Sequence, residues 1–183
     1  PPKVALTQAV IVPILFDATK DVVLKEAANM MKRLLKKDIM VHLDDRDDYS
    51  PGWKFNEWEM KGVPLRIELG PKDIEKKQAV VVRRDTGEKK FIALDKIETE
   101  IPMILETMQK DLYARAVEHL KSSIVTVSTM KEAEKELLTE KLLFAPWCGT
   151  PKCEEEFKEK TGAKSLNSPL EQPPLKKDQK CFA

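Results

Sequence analysis

The 183-residue chain is short of the residues that most often mark chemistry: it has three cysteines, two histidines and six glycines. No run of 18 or more apolar residues occurs, and the first residues lack the basic and apolar regions of a secretory signal. These absences predict a cytoplasmic protein with no membrane partner. An odd count of three cysteines is a poor disulfide framework, which leaves reduced thiols or metal ligands. The two-residue gap of thioredoxin-like motifs is missing, as are a phosphate loop, a nucleophile elbow and an HExxH helix. A stand-alone enzyme using Glu59 or His42 as its base therefore has no supporting motif. His42 and His119 read as core or edge residues. Charge of one sign is lacking too: 32 Lys+Arg against 31 Asp+Glu leave a net +1, which neither advertises nor excludes a nucleic acid. The chain opens on Pro1-Pro2 and ends at Ala183, and both ends look cut from something longer.

What is present divides into two expected domains, 1–122 and 123–183. Ala9 to Phe16 is a continuous apolar run, AVIVPILF, and predicts a central buried strand weakened at Pro13. From Lys20 to Lys36, Val22, Val23, Ala27, Met30, Met31, Leu34 and Leu35 recur at helical spacing. Ile39 to Leu43 follows as a second strand, so strand, helix, strand implies a crossover and two parallel strands. Further strands are predicted at Val63–Leu69, Gln78–Arg84 and Phe91–Leu94, the last two joined by a Gly-containing turn. A long helix runs from near Asp95 to about Ser122, with Ile97, Ile101, Leu105, Met108, Leu112 and Ala116 as its buried stripe. The fold class is α/β: a mixed five-stranded sheet with three helices, followed by a smaller α+β domain. In that second domain IVTV reads as a strand, Thr129 caps a helix through Leu138, and KLLFAPWC reads as a strand ending at Cys148.

The remaining helix of the three, second in chain order, lies in the stretch from Ser50 to Asp73, SPGWKFNEWEMKGVPLRIELGPKD, on which the first domain turns. Ser50 can cap it, Pro51 sits where its missing N–H costs nothing, and Gly62 can end it in a left-handed turn. Phe55 and Glu59 are four apart and share a face, and strand alternation points Arg66 and Glu68 the same way. Gly70-Pro71 then breaks the strand and presents Lys72 and Asp73. An aromatic ring, carboxylates and cations on one surface suit unstacked bases better than a duplex. Carboxylates would be excluded from a phosphate-tracking groove, but they accept the N–H donors of guanine, while Arg or Lys donate to its O6 and N7.

Two other clusters carry weaker signals. Asp44, Asp45, Asp47 and Asp48 lack the Gly and Glu spacing of a calcium loop, so Arg46 and Asp48 are read as stiffening that loop or approaching RNA. Lys32, Arg33, Lys36 and Lys37, and the group Lys76, Lys77, Arg83, Arg84, Lys89 and Lys90, read as solvated faces or phosphate contacts. A competing reading makes Trp53, Phe55 and Trp58 core, under a charged protein-docking face, or makes the chain another single-stranded RNA-binding module; for Trp58 the core reading is favoured.

The run PGWKFNEWEMKGVPLRIELGPKD, with QAVIVPILF before it and VVVRRDTGEKKFIAL and LLFAPWCGTPKCEEEFKEKTGAKSL after it, resembles the anticodon-binding and C-terminal domains of prolyl-tRNA synthetase of the archaeal and eukaryotic type. The resemblance implies the class II anticodon-binding fold and recognition of the proline anticodon, whose second and third letters are guanine. It places the anticodon contacts on Phe55, Glu59, Arg66, Lys72 and Asp73. It also implies a parent ligase that charges proline tRNA using ATP and magnesium in an upstream catalytic domain, and that acts as a homodimer; this fragment alone is expected to be non-catalytic. Cys148 and Cys153, with four residues between them, and Cys181, 28 positions further on, have the pair-plus-distant-partner pattern of a structural zinc site. The family usually supplies a fourth cysteine where the residue after Ala183 would be. The alternative is three free cysteines in a partly disordered end, SPLEQPPLKKDQKCFA.

Overall fold

A computed structural model describes residues 1–172, 174 and 177–183. Pro173, Leu175 and Lys176, within the stretch read as partly disordered, lie outside the described residues. The chain forms two compact units, Pro1–Ala114 and Arg115–Ala183.

The first unit is built on a mixed five-stranded sheet in the order β2-β1-β3-β4-β5. Strand β1 (Ala9–Pro13) is buried along its whole length and pairs in parallel with β2 (Val41–Leu43) and β3 (Leu65–Leu69). Strands β3, β4 (Gln78–Arg83) and β5 (Lys89–Ala93) are antiparallel neighbours. The apolar run predicted to reach Phe16 leaves the sheet at Pro13, which has no N–H to continue a ladder, and Phe16 is exposed.

Helix α1 (Lys20–Leu35) and helix α4 (Ile97–Ser123) cover one face. There Ala9, Ile11, Leu65, Ile67, Leu69 and Val81 meet Ala27, Met30, Leu34, Ile97, Ile101 and Met108. Each fully buried Ile, Leu or Met in such a core stabilises by roughly 1.5–3 kcal/mol. Within the expected stripes, Val22, Leu35 and Ala116 are exposed. Val22 and Leu35 sit on the outer flank of α1. Ala116 follows Leu112, the last residue of the α4 stripe that packs on this core; α4 has 27 residues, about 40 Å at 1.5 Å per residue.

Helix α2 (Pro51–Met60) lies on the opposite face. Ser50 caps it as expected, accepting from the Trp53 N–H at 3.3 Å, and Gly62 takes φ +78° just beyond its end. A further one-turn helix, α3 (Pro71–Glu75), starts where the sequence predicts only a strand exit, with the Asp73 carboxylate accepting from the Gly70 N–H at 3.0 Å.

The second unit pairs β6 (Ile124–Thr126) with β7 (Leu142–Phe144) in parallel, with α5 (Met130–Leu137) between them and α6 (Pro151–Thr161) after. Thr129 caps α5 through the Glu132 N–H. The strand expected to reach Cys148 ends at Phe144, and the cysteine follows in an irregular segment. Helix α6, unassigned from sequence, has Pro151 in its first turn and Gly162 at φ +73° after its end.

Candidate nucleic-acid interface

The alternation of β1 and β3 sends Val10, Val12, Arg66 and Glu68 to the face that α2 partly covers. Phe55 and Trp58 of α2 pack on Val10, Val12 and Val63. That contact fixes the height of the helix above the sheet and leaves one side of Phe55 facing Arg66.

The Arg66 guanidinium lies over the Phe55 ring, 4.2 Å from its centroid, a cation–π contact. Its Nε donates to Glu68 at 3.0 Å, and the Glu68 side chain is only 10% exposed. Glu59 stands 3.9 Å from the Arg66 Nη1, too far for a hydrogen bond, and its side chain is 56% exposed. The two acids therefore differ in role: Glu68 orients the guanidinium from below, and Glu59 offers its lone pairs to solvent. Beside them is a cleft of about 140 Å³ lined by Phe55, Glu59, Arg66, Val82, Arg84 and Lys89 among others. This is well below the roughly 300–1,000 Å³ of an enclosed small-molecule site. A planar group laid on the surface fits it better than a small substrate sealed inside.

Of the five residues singled out from sequence, Phe55, Glu59 and Arg66 converge. Lys72 and Asp73 sit on α3, at the C-terminal end of β3. Lys72 is exposed, with no ion pair among the described residues, whereas Asp73 uses a carboxylate oxygen to hold the Gly70 N–H. Trp58 is core-packed, as favoured, but Trp53 is 45% exposed and stacks on Tyr49 at 4.0 Å. His42 lies on edge strand β2, its ring 4.7 Å from Trp58.

Beneath α2 is a polar anchor. Asp44 is 1% exposed and accepts from Arg46 Nε at 2.8 Å, Arg46 Nη2 at 2.7 Å and Trp58 Nε1 at 2.7 Å. Lys54, 2% exposed, donates to the backbone carbonyls of Asp44 and Arg46, with the Asp44 carboxylate 3.8 Å away. Arg46 also binds Glu57, which accepts from Lys61 at 2.7 Å. Burial alone would push the Asp44 carboxyl up, but the hydrogen bonds from Arg46 and Trp58 and the charge of Lys54 hold it well below the usual carboxylate range. The same contacts from Asp44 and Glu57 raise the Arg46 guanidinium. Arg46 thus stiffens the loop before α2. Of the loop's aspartates, Asp44 pairs with Arg46 of the loop itself and Lys54 of α2, and Asp47 pairs with Lys20 of α1.

In the second unit the sulfur atoms of Cys148, Cys153 and Cys181 lie within 4.8 Å of one another and could hold a metal ion. Cys148 Sγ and Thr150 Oγ1 share a hydrogen bond at 3.1 Å; that bond, the Thr150 backbone and Cys153 push the Cys148 thiol down to about 6. For Cys153 the Thr150 bond works the same way, but the contact with Cys148 and burial outweigh it and push that thiol up. Phe182, next to Cys181, donates its N–H to the Pro146 carbonyl at 3.0 Å, and its ring meets Phe157 edge-on at 5.0 Å. Three thiols match three corners of a tetrahedral thiolate site, so the donor set fits zinc.

The chain belongs to the anticodon-binding domain family, whose model matches residues 8–103. Residues 130–183 match a second model, described as the C-terminal domain of prolyl-tRNA synthetase. The chain is 44% identical, over 94% of its length, to a proline–tRNA ligase of Oceanobacillus iheyensis, covering 35% of that protein. It is 39% identical to a putative proline–tRNA ligase of Saccharomyces cerevisiae, over all of this chain and 30% of that one. A bifunctional glutamate/proline–tRNA ligase of Mus musculus is 40% identical over 93% of this chain and 12% of its own length. The chain thus spans about a third or less of these relatives.

Proposed function

We propose that this chain is the anticodon-reading part of a proline–tRNA ligase and reads the two guanines of the proline anticodon. The observation that carries it is the Arg66 guanidinium held over Phe55 at 4.2 Å, with the exposed carboxylate of Glu59 at its edge. The ring and guanidinium plane give a base something to stack on. Glu59 accepts guanine N–H groups, and Arg66 and Lys72 donate to O6 and N7. Asp73 is proposed as a second acceptor, through the carboxylate oxygen that does not hold Gly70. Arg84 and Lys89, lining the cleft, attract the phosphates.

The parent enzyme couples proline to its tRNA with ATP and magnesium in a catalytic domain outside this sequence, acts as a homodimer, and works in the cytoplasm. Among the described residues no helix is long and apolar enough to cross a membrane. Zinc on Cys148, Cys153 and Cys181 would clamp α6 to the segments that follow β7 and precede Ala183, and its role there is structural. The domains are assigned as 1–122 for anticodon binding and 123–183 for the C-terminal domain.

Titration of the chain with a proline-anticodon stem-loop and with the same stem carrying a scrambled loop, at one moderate salt concentration, separates reading from charge attraction. The cognate loop binds more tightly. Equal affinity for the two loops contradicts the proposal.

A further inference from the structure

Strand register lays the α2 face of the sheet out as two rows. One runs Val10, Arg66, Val82, Lys89; the other runs Val12, Glu68, Val80, Phe91. Helix α2 covers the first residues of both rows. The far end of the second row is open: Val80 is half-buried and Phe91 is 64% exposed, on edge strand β5. Its neighbours in sequence behave as strand residues in ordinary solvation do. Ile92 is buried in the core, and Lys90 turns to that same side to pair with Glu100 of α4 at 2.7 Å. An exposed phenylalanine on an edge strand is what a sheet avoids unless something covers it.

We propose that Phe91 is a second stacking station for the same RNA, taking the base of the loop nucleotide next to the guanine pair. The proposal rests on the anticodon-reading assignment above and extends its surface. Phe91 lies two strands from Glu68, about 10 Å at ordinary strand spacing, so the platform continues the Phe55–Arg66 site without a break. Lys89, two residues back on the same face, supplies a cation for the phosphate between the bases. Aromatic residues on a sheet face, each holding one splayed base, are an established way of binding single-stranded RNA. The station is sequence-tolerant, because every base has a π-face. Phe91 therefore adds affinity, and Glu59 and Arg66 keep the discrimination.

The experiment measures affinity of the full 183-residue chain for the proline-anticodon stem-loop and for two versions with an abasic site on either side of the guanine pair. Phe91→Ala weakens the intact loop by about 10-fold, in line with alanine substitutions at base-stacking aromatics. Phe91→Trp retains the affinity. On one of the two abasic loops Phe91→Ala causes no further loss, and the ratio of affinities for guanine and adenine loops is unchanged. If Phe91→Ala binds the intact loop as the unsubstituted chain does while Arg66→Ala does not, the second station is wrong and the guanine site stands. If Phe91→Ala costs the same on all three loops, no base stacks there and the proposal is likewise overturned. If neither variant changes binding and a scrambled loop binds equally, both the station and the reading beneath it fall.

Discussion

Replacing Asp44 by asparagine removes one charge from the centre of the anchor under α2 and leaves the shape of the side chain nearly unchanged. In the unsubstituted chain both carboxylate oxygens accept, from Arg46 twice and from Trp58 once, and Lys54 is neutralised at 3.8 Å. The amide of the variant would keep one acceptor oxygen and turn an NH₂ group towards a donor. Lys54, 2% exposed, would be left buried without its counter-charge. Breaking a buried pair this way costs about 3–5 kcal/mol, a large share of the roughly 5–15 kcal/mol that holds a domain folded. With a urea dependence of about 2 kcal/mol per M, the midpoint falls by about 1.5–2.5 M. A Trp147→Phe background confines the fluorescence signal to Trp53 and Trp58, both in the first unit. The folded carboxyl lies below its unfolded value, so the folded state holds fewer protons, and this stability is present above the ordinary carboxylate pKa of about 3.9. It is lost as the pH falls through the folded value. The Asp44→Asn penalty is therefore full near neutrality and shrinks in acid. Adding Lys54→Met to Asp44→Asn recovers part of the loss, since the orphaned charge goes with its partner. A midpoint shift under about 0.5 M, or a penalty that grows as the pH is lowered, would refute the reasoning.

Other consequences follow from the same geometry. Arg66→Lys keeps the charge but loses the plane that lies on Phe55, and discrimination between guanine and adenine loops falls by about 1–3 kcal/mol, measured by competition binding. Ser50→Ala removes the cap on α2 and costs about 0.5–2 kcal/mol in urea unfolding. Gly62→Ala meets no neighbouring atom, so its cost of about 1–2 kcal/mol is backbone strain at φ +78° alone. Titration with zinc under reducing conditions is expected to show one ion bound per chain, and Cys153→Ser to abolish tight binding; stoichiometric retention by that variant contradicts a three-thiolate site.

The elements that sequence discloses best are those specified locally. Ser50, Pro51 and Gly62 bracket α2 by their own backbone preferences, and the alternation from Leu65 to Leu69 fixes which side Arg66 faces. The α3 turn carries its own signals, Pro71 in the first turn and Asp73 at the third position, but the strand break that the same residues make hides them. Helix α6 is similarly masked by the cysteine within it, although Pro151 and Gly162 mark both ends. The anchor is not legible. Lys54 looks like any exposed lysine between aromatic neighbours, and its acceptors are carbonyls of a loop 8 and 10 residues away that approach only once α2 lies down. Alternation puts Glu68 on the same face as Arg66, but its burial as the arginine's partner depends on what packs around it. Phe91 reads as one more strand residue, because exposure on an edge depends on which helices cover the sheet.

The guanine recognition proposed for Phe55, Arg66 and Glu59 is most directly examined by changing the loop rather than the protein. Inosine lacks the exocyclic amine of guanine, so replacing each anticodon guanine by inosine in turn removes the N2 amino group and leaves N1–H, O6 and N7 in place. At one of the two positions, affinity for the unsubstituted chain is expected to drop by roughly 10-fold, and Glu59→Gln to erase most of that difference. Unchanged binding of both inosine loops, together with unchanged binding when both guanines become adenines, would contradict the account.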